Sequence, residues 1–286
     1  MIETIIPTVG IHPDVPPEVY HSWQALSNSW MSKLNISPAH LYDLIQNGGT
    51  PASKDQDFGT AVHCKVLEPA FYEARVAVRP FGQSGSTKEG KAFKRQAMTA
   101  HKIVLSHSEG RWCDAIACRA KANRFVRAML DMPHQTEMSL VWERDGFLCK
   151  ARADLMVPDA FVASDIKTTR SIGPKGFATQ VARYRYHCQA AWYLDGIQRL
   201  TGKLWDFQFI VCEKSRPFLV TVHQLARDSP AYRLAVAECD RLFDLYKQCW
   251  ENRTWPGYGD SFTIELPDWA VNETSEPEPE VEEEQW

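Results

Sequence analysis

Residues 153–169 read ADLMVPDAFVASDIKTT, and the fold class is inferred outward from these residues. Two β-type apolar runs flank Pro158-Asp159, a pair that is typical of a turn. Successive side chains of a strand point to opposite faces, so Asp165 and Lys167 share one face. The stretch therefore predicts two neighbouring strands, one bearing Asp154 and the other bearing an Asp-x-Lys pair.

A third strand is predicted immediately upstream. Over residues 137–143, Met138, Leu140 and Trp142 alternate with the other side chains, as in a half-buried strand. Asp145-Gly146 is a hairpin signal that leads into the next strand. The three predicted strands, over 137–143, 147–157 and 161–168, form a meander.

The meander brings carboxylates together beside an ammonium. Glu137, Asp154 and Asp165 come from neighbouring strands, and Lys167 follows two residues after Asp165. Hard oxygen ligands with open positions suit Mg²⁺ or Mn²⁺. A lysine beside such a site can orient or activate water and offset charge on a phosphate. An isolated Asp-x-Lys pair is usually a surface salt bridge, so the pair gains weight only in this strand context.

The rest of the chain predicts a mixed α/β domain. Ser37-Pro38 is a helix start, and Gly202 ends a long helix. Spacing and end signals predict helices beginning at 37 and over 58–67, 88–106, 111–130, 177–200 and 229–250, and strands over 75–78, 204–212 and 218–223.

Composition excludes a membrane protein. Hydrophobic residues make up 44% of the 286, and no apolar run approaches the ~18 residues of a membrane span. The amino-terminal residues do not read as a secretory signal. We predict a soluble, cytoplasmic protein.

Charge is unevenly distributed along the chain. Residues 254–286 hold ten acidic side chains and no Lys or Arg, whereas the rest holds 32 basic and 26 acidic ones. A basic body with an acidic tail is typical of proteins that meet a polyanion, although the basic block over 88–127 could equally be a solvated helix surface. The tail could compete with such a polyanion or simply aid solubility. Candidate contacts to a polyanion such as DNA are Lys88, Lys91, Lys94, Arg95 and Arg152.

The sequence argues against two other kinds of site, a cysteine-based metal or disulfide site and a phosphate-binding loop. None of the eight cysteines falls in a CxxC pair, so we interpret them as reduced core thiols. Residues 85–91 have phosphate-loop spacing, but Ala92 stands where such a loop needs Ser or Thr for Mg²⁺. The pattern therefore argues against an ATPase.

The acidic residues and their flanks resemble the PD-(D/E)XK nucleases. Asp154 matches the first acid of that motif, and Asp165-Ile166-Lys167 matches its (D/E)XK element. Flanking segments are similar to the phage-type recombination exonucleases of the exodeoxyribonuclease VIII (RecE) group and, more distantly, to lambda exonuclease. The resemblance extends over roughly residues 36–225. The flanking segments that carry it are Phe58-Gly59-Thr60-Ala61-Val62-His63 with Leu67-Glu68-Pro69, Glu137 upstream of 146–154, and YHCQAAWY over 186–193.

The resemblance implies an α/β fold with a restriction-endonuclease-like mixed β-sheet core flanked by helices. It also implies a Mg²⁺-dependent exodeoxyribonuclease with two ions per site, which Mn²⁺ could replace, and with 5′-phosphate products. Lys167 would act on the attacking water, and Gln189 and Tyr193 would support the site or the scissile phosphate. The implied metal ligands are Glu137, Asp154, Asp165, His63 and the Ile166 carbonyl.

Biological role and domain limits follow from the same resemblance. Digestion would start at 5′ ends of duplex DNA and leave 3′ tails for a strand-annealing recombinase, in a bacterial or phage-infected cell, with the enzyme as a cyclic homo-oligomer. We predict an amino-terminal extension over 1–35, an exonuclease domain over 36–271 and an acidic, disordered tail over 272–286. The alternatives are a restriction- or repair-type endonuclease and a catalytically silent module that binds DNA ends.

Overall fold

The computed structural model describes residues 6–49 and 53–266, so the acidic tail predicted over 272–286 lies outside the described residues. The strands are β1 (Gly10–His12), β2 (Val76–Val78), β3 (Ile103–Leu105), β4 (Gln135–Arg144), β5 (Phe147–Val157), β6 (Val162–Thr169), β7 (Asp206–Glu213) and β8 (Val220–Leu225). The helices are α1 (Pro17–Ser22), α2 (Asn28–Leu34), α3 (Pro38–Asn47), α4 (Lys54–Leu67), α5 (Tyr72–Arg75), α6 (Lys88–Thr99), α7 (His107–Ala122), α8 (Arg124–Asp131), α9 (Pro174–Arg183), α10 (Tyr186–Thr201) and α11 (Pro230–Asn252).

Six strands form one mixed sheet in the order β1-β4-β5-β6-β7-β8. The predicted meander is confirmed, because β4, β5 and β6 pair antiparallel in succession. Asp145 (φ 47°) and Gly146 (φ 82°) make the turn between β4 and β5, with the positive φ values of a two-residue hairpin. After the crossover through α9 and α10, β7 pairs in parallel with β6.

Helices cover both faces of this sheet. On one face, Trp142 of β4 packs in a core with Trp192 of α10 and Phe243 of α11. On the other face, Ile166 of β6 belongs to a core with residues of α4 and α7, including Val62. The predicted fold class, a mixed sheet flanked by helices, is confirmed. Among the described residues, no helix is long and apolar enough to cross a membrane.

The amino-terminal segment is part of this architecture. β1 pairs with β4, and Met31 of α2 lies in the same core as Trp192. The Lys150 ammonium donates hydrogen bonds of 2.8 Å to the carbonyl oxygens of Tyr20 and Trp23, which ties the carboxyl-terminal end of α1 to β5. The boundary at residue 36, between the amino-terminal extension and the domain over 36–271, stays a prediction.

Lys150 should leave a mark on the pH dependence of stability. Burial lowers the pKa of this lysine to about 8, against roughly 10.4 in an unfolded chain. Between these values the unfolded chain binds more protons, so this group makes the free energy of unfolding rise with pH. We expect Lys150→Met to lack that rise in urea unfolding measured from about pH 7.5 to about pH 10. Parallel profiles for the two proteins would contradict the buried, depressed lysine.

Three predicted helices are wrong in extent. The helix predicted over 111–130 is divided at Asn123, which is extended and caps α8 after the end of α7. The helix predicted over 88–106 ends at Thr99, and Ile103–Leu105 instead forms β3, paired in parallel with β2. β-branched side chains favour this strand, and Ser106 then caps α7 in a capping box. The helix predicted over 177–200 is divided into α9 and α10, since Arg185 adopts a left-handed conformation with φ 56°.

Candidate nuclease active site

The site lies where β5 and β6 diverge. Their pairing ends at Leu155 and Ser164. Beyond that point, the Asp154 carboxylate accepts a hydrogen bond of 2.8 Å from the Ile166 N–H, so a side chain replaces the next step of the ladder. The gap opens into a cleft of about 1090 Å³. Its lining includes the predicted residues His63, Glu137, Asp154, Asp165, Ile166 and Lys167.

The alternation of side chains between the two faces of the sheet is interrupted in β5 at Asp154. Ala153 packs into one core and Leu155 into the core on the opposite face. Thr136 of β4 pairs with Leu155 of β5, and Met138 pairs with Ala153, so Glu137 lies opposite Asp154. The backbone of Glu137 is left-handed, with φ 55°. A left-handed residue other than glycine is uncommon within a strand and is often associated with a functional site.

His63 lies between two of the carboxylates. α4 carries it into the cleft, and a capping box of Ser53 and Gln56 stabilises the start of that helix. His63 Nδ1 is 3.3 Å from Glu137 Oε1, and Nε2 is 3.2 Å from Asp154 Oδ2. Burial alone would lower its pKa, but the carboxylates outweigh burial and raise the pKa to about 9.

Asp165 and Lys167 form a buried ion pair on one face of β6. Lys167 Nζ lies 2.7 Å from Asp165 Oδ2, and Gln189 of α10 donates to Asp165 Oδ1. Burial, followed by the nearby Asp154 carboxylate, raises the pKa of Asp165 to about 6. Burial opposes the charge on Lys167, yet Asp165 and Asp154 raise the pKa of that ammonium. The pair is therefore held by its neighbours in a defined geometry.

The donor set fits a divalent cation. Ligand atoms of His63, Glu137 and Asp154 all lie within 4.8 Å of one another. Asp165 adds a third carboxylate that is only 4% exposed. Carboxylate oxygens with one imidazole suit Mg²⁺ or Mn²⁺, and an incoming ion would offset the repulsion between the acids.

Two residues predicted on α10 take different positions. Gln189 reaches Asp165 directly. Tyr193 packs edge to face on Phe207, with ring centroids 6.0 Å apart, and is outside the lining of the cleft as described. Burial raises the pKa of Tyr193 well above its usual range. Tyr186, the first residue of the same 186–193 segment, does line the cleft, with Lys167 Nζ 4.4 Å from its ring centroid.

The predicted DNA contacts fall into two groups. Arg152 is turned inward, with Nε 2.7 Å from Glu137 Oε2 and its guanidinium bonded to the Val15 carbonyl. Its immediate role is therefore to hold Glu137, and a contact with DNA stays a prediction. The others lie exposed on α6, and Lys94 lines a second cleft together with Lys54 and Asp57 at the start of α4.

Several residues of the main cleft had no signal in the sequence. They are polar or aromatic side chains contributed by the end of β6, by α9 and by the segment after β7. They comprise Thr169, Arg170, Gln180, Arg183, Tyr184 and Lys214. Their placement depends on the end of α9 and on the β6–β7 crossover, which no local pattern specifies.

The chain is similar in structure to known proteins. A protein named "Putative exonuclease" from Eubacterium rectale matches with a TM-score of 0.63 and 13% sequence identity, over 92% of this chain and 99% of that chain. At this identity the likeness shows the fold alone. A phage related exonuclease from Haemophilus somnus 129PT matches with a TM-score of 0.37 and 13% identity, over 83% of this chain and 99% of that chain.

No curated protein matches the chain in sequence. Residues 27–265, which contain every residue of the cleft described above, match a family described as a PDDEXK-like domain of unknown function (DUF3799). The predicted superfamily is thereby confirmed, and the match supports a nuclease that acts on DNA. The chain belongs to this family of PDDEXK-like domains.

Proposed function

We propose that the protein is a Mg²⁺-dependent exonuclease of double-stranded DNA. The observation that carries the proposal is the meeting of Glu137, Asp154, Asp165 and His63 with Lys167 in one open cleft. Such a cleft gives a phosphodiester access to metal ligands and to an ammonium at the same time. The exonuclease domain would extend over residues 36–271.

Glu137, Asp154, Asp165, His63 and the Ile166 carbonyl would hold two Mg²⁺ ions, or Mn²⁺ in their place. Bound ions would supply a nucleophile at neutral pH and stabilise the leaving 3′ oxygen, giving a 5′-phosphate product. Arg152, 2.7 Å from Glu137, would fix the orientation of that ligand. Gln189 would do the same for Asp165.

Lys167 would act on the water and on the phosphate. Its ammonium is fixed by Asp165 at 2.7 Å and by the Tyr186 ring at 4.4 Å, so it needs little reorganisation during reaction. A preorganised cation stabilises charge that develops on the phosphate oxygens. Its side chain is 18% exposed, which leaves access from the cleft.

The finer features belong to the same proposal and are supported by the resemblance to the RecE group. Digestion from 5′ ends would produce 3′ single-stranded tails, which a strand-annealing recombinase would take up. A cyclic homo-oligomer would encircle the duplex. Light scattering of the purified protein tests this assembly, and a monomer over the working concentration range would exclude the ring.

The decisive experiment compares linear with covalently closed circular duplex DNA in Mg²⁺, using linear substrates labelled at either the 5′ or the 3′ end. We expect only linear DNA to be digested, with early release of the 5′ label as a mononucleotide. Cutting of closed circles would identify an endonuclease. Binding of ends without any cutting would identify a silent module.

The exposed lysines of α6 should contribute to DNA affinity through phosphate contacts. Replacing Lys88, Lys91 and Lys94 together with Ala is expected to weaken binding and reduce the slope of log K against log salt by about 0.9 for each lost phosphate contact. Binding across a salt series measures both quantities. A matched control replaces Lys33, Lys203 and Lys247, which lie outside the basic block over 88–127. Equal slopes for both triple variants would make the α6 lysines a solvated face.

A further inference from the structure

A row of aromatic rings leads outward from the active-site lysine. The Tyr186 ring lies 4.4 Å from Lys167 Nζ. Tyr184 stacks on Tyr186, with ring centroids 5.6 Å apart and an angle of 27° between the ring planes. Phe177 lies behind Tyr186, with centroids 6.3 Å apart. The outermost ring of the row is therefore supported from behind by two others.

Tyr184 combines support with exposure. It lines the main cleft and is 52% exposed, whereas Tyr186 is half-buried and Phe177 is 2% exposed. The break between α9 and α10 at Tyr184 and Arg185 brings the ring to this place. A large aromatic ring that is exposed in a polar cleft is not explained by core packing.

The surroundings of Tyr184 suit a nucleotide. The Arg183 guanidinium carbon lies 5.6 Å from the Tyr184 ring centroid, and Arg170 lines the same cleft. Both arginines are exposed, so their side chains can reach phosphates beside the ring. An aromatic ring with adjacent cations binds single-stranded nucleic acid through base stacking and phosphate contacts.

We propose that Tyr184 is a stacking platform for an unpaired nucleobase at the end of the DNA. The inference rests on the proposed exonuclease function and names the state of its substrate: an end whose last bases are separated from the partner strand. Stacking on Tyr184 stabilises this separated state. The strand to be cut then lies along the Tyr184, Tyr186 and Lys167 row with its phosphate at the acids.

The test uses a duplex with 2-aminopurine at the 5′ end, either fully paired or with two unpaired end nucleotides, bound in Ca²⁺ with the label checked to be intact. We expect the wild-type protein to bind the unpaired end roughly tenfold more tightly and to quench its fluorescence by stacking. Tyr184→Phe keeps both properties, because the ring is retained. Tyr184→Leu binds the two ends equally and does not quench.

Tyr42→Leu is the matched control. Tyr42 is 44% exposed on α3, where its ring lies 5.7 Å from that of Trp255, and it is outside the lining of the cleft. This variant should retain the preference for the unpaired end. Circular dichroism of each variant checks the fold.

The outcomes separate the two proposals. The stacking platform is overturned if Tyr184→Leu prefers the unpaired end and quenches the fluorescence as the wild-type protein does. It is also overturned if the wild-type protein binds both ends with equal affinity. If the protein cleaves linear DNA in Mg²⁺ but does not prefer the unpaired end over the paired end, the platform is rejected and the exonuclease is retained. A preference that depends on Tyr184, in a protein that does not cut DNA in Mg²⁺, supports the platform and rejects the exonuclease.

Discussion

Replacing Lys167 by Met is expected to abolish DNA cleavage while leaving divalent-metal binding largely intact. The ammonium is paired with Asp165 at 2.7 Å and supplies no ligand atom. Loss of one preorganised group that stabilises developing charge costs about 10²–10³ in rate. Because Lys167 would also orient the water, we expect a loss of about a thousandfold or more, measured as release of end label from linear duplex.

Asp165→Asn should differ from Lys167→Met in metal binding. The amide oxygen can still accept the hydrogen bond from Gln189, so the local geometry is preserved. The lost negative charge, however, weakens the cation site as well as catalysis. Calorimetric titration with Mn²⁺ should therefore show reduced affinity for Asp165→Asn and near-wild-type affinity for Lys167→Met.

Lys65→Met is the control for both variants. Lys65 lies on the same helix as His63, but its Nζ pairs with Asp114 Oδ1 at 2.9 Å outside the cleft lining. Its replacement should leave cleavage and metal binding unchanged. Digestion at the wild-type rate by either Lys167→Met or Asp165→Asn would remove that residue from the site.

Of the variants proposed, Trp192→Ala should cause the largest fall in the free energy of unfolding. Trp192 is fully buried, its ring centroid lies 5.0 Å from that of Trp142, and its Nε1 donates to the Lys150 carbonyl at 3.1 Å. Truncation removes the buried ring surface and leaves a cavity between α10 and the sheet. The free energy of unfolding should fall by about 3–5 kcal/mol, measured by urea denaturation.

Trp250→Ala tests whether burial is the cause of that loss. Trp250 is 46% exposed on α11 and stacks on Tyr246. Its truncation loses this contact and an edge-to-face contact with Trp255, whose ring centroid is 5.5 Å away. Two such aromatic pairs are worth about 1–3 kcal/mol, which is less than the loss expected for Trp192→Ala. Equal losses for the two variants would show that tryptophan content, rather than burial, governs the effect.

Strands were easier to predict than the breaks between helices. The alternation over β4, the Asp145-Gly146 turn and the start of β6 were all recognisable, because each pattern acts between near neighbours. The left-handed conformation of Arg185 was not, because no turn or cap signal marks it in the local sequence, and its side chain pairs with Glu238 at 2.7 Å, 53 positions further along the chain. β3 was missed because its pairing partner, β2, lies outside the local window.

The identity of the active-site residues was likewise easier to predict than their protonation and contacts. Asp154, Asp165 and Lys167 could be proposed from strand spacing and motif resemblance. Their protonation could not, because the raised pKa of Asp165 results from burial and from Asp154 on the neighbouring strand. Arg152 was predicted to contact DNA, yet its guanidinium lies on Glu137. That contact depends on how β4 and β5 pair.

Local patterns in the sequence specified the meander, the residue types of the cleft and the superfamily, because side-chain alternation, turn chemistry and motif spacing act over a few residues. The point at which β5 and β6 diverge, and the charges that neutralise one another there, depend on tertiary packing. This packing placed His63 between two carboxylates and Tyr184 at the cleft. These contacts join residues that are distant in the chain, and their energies depend on burial, which exists only after the sheet and helices have packed.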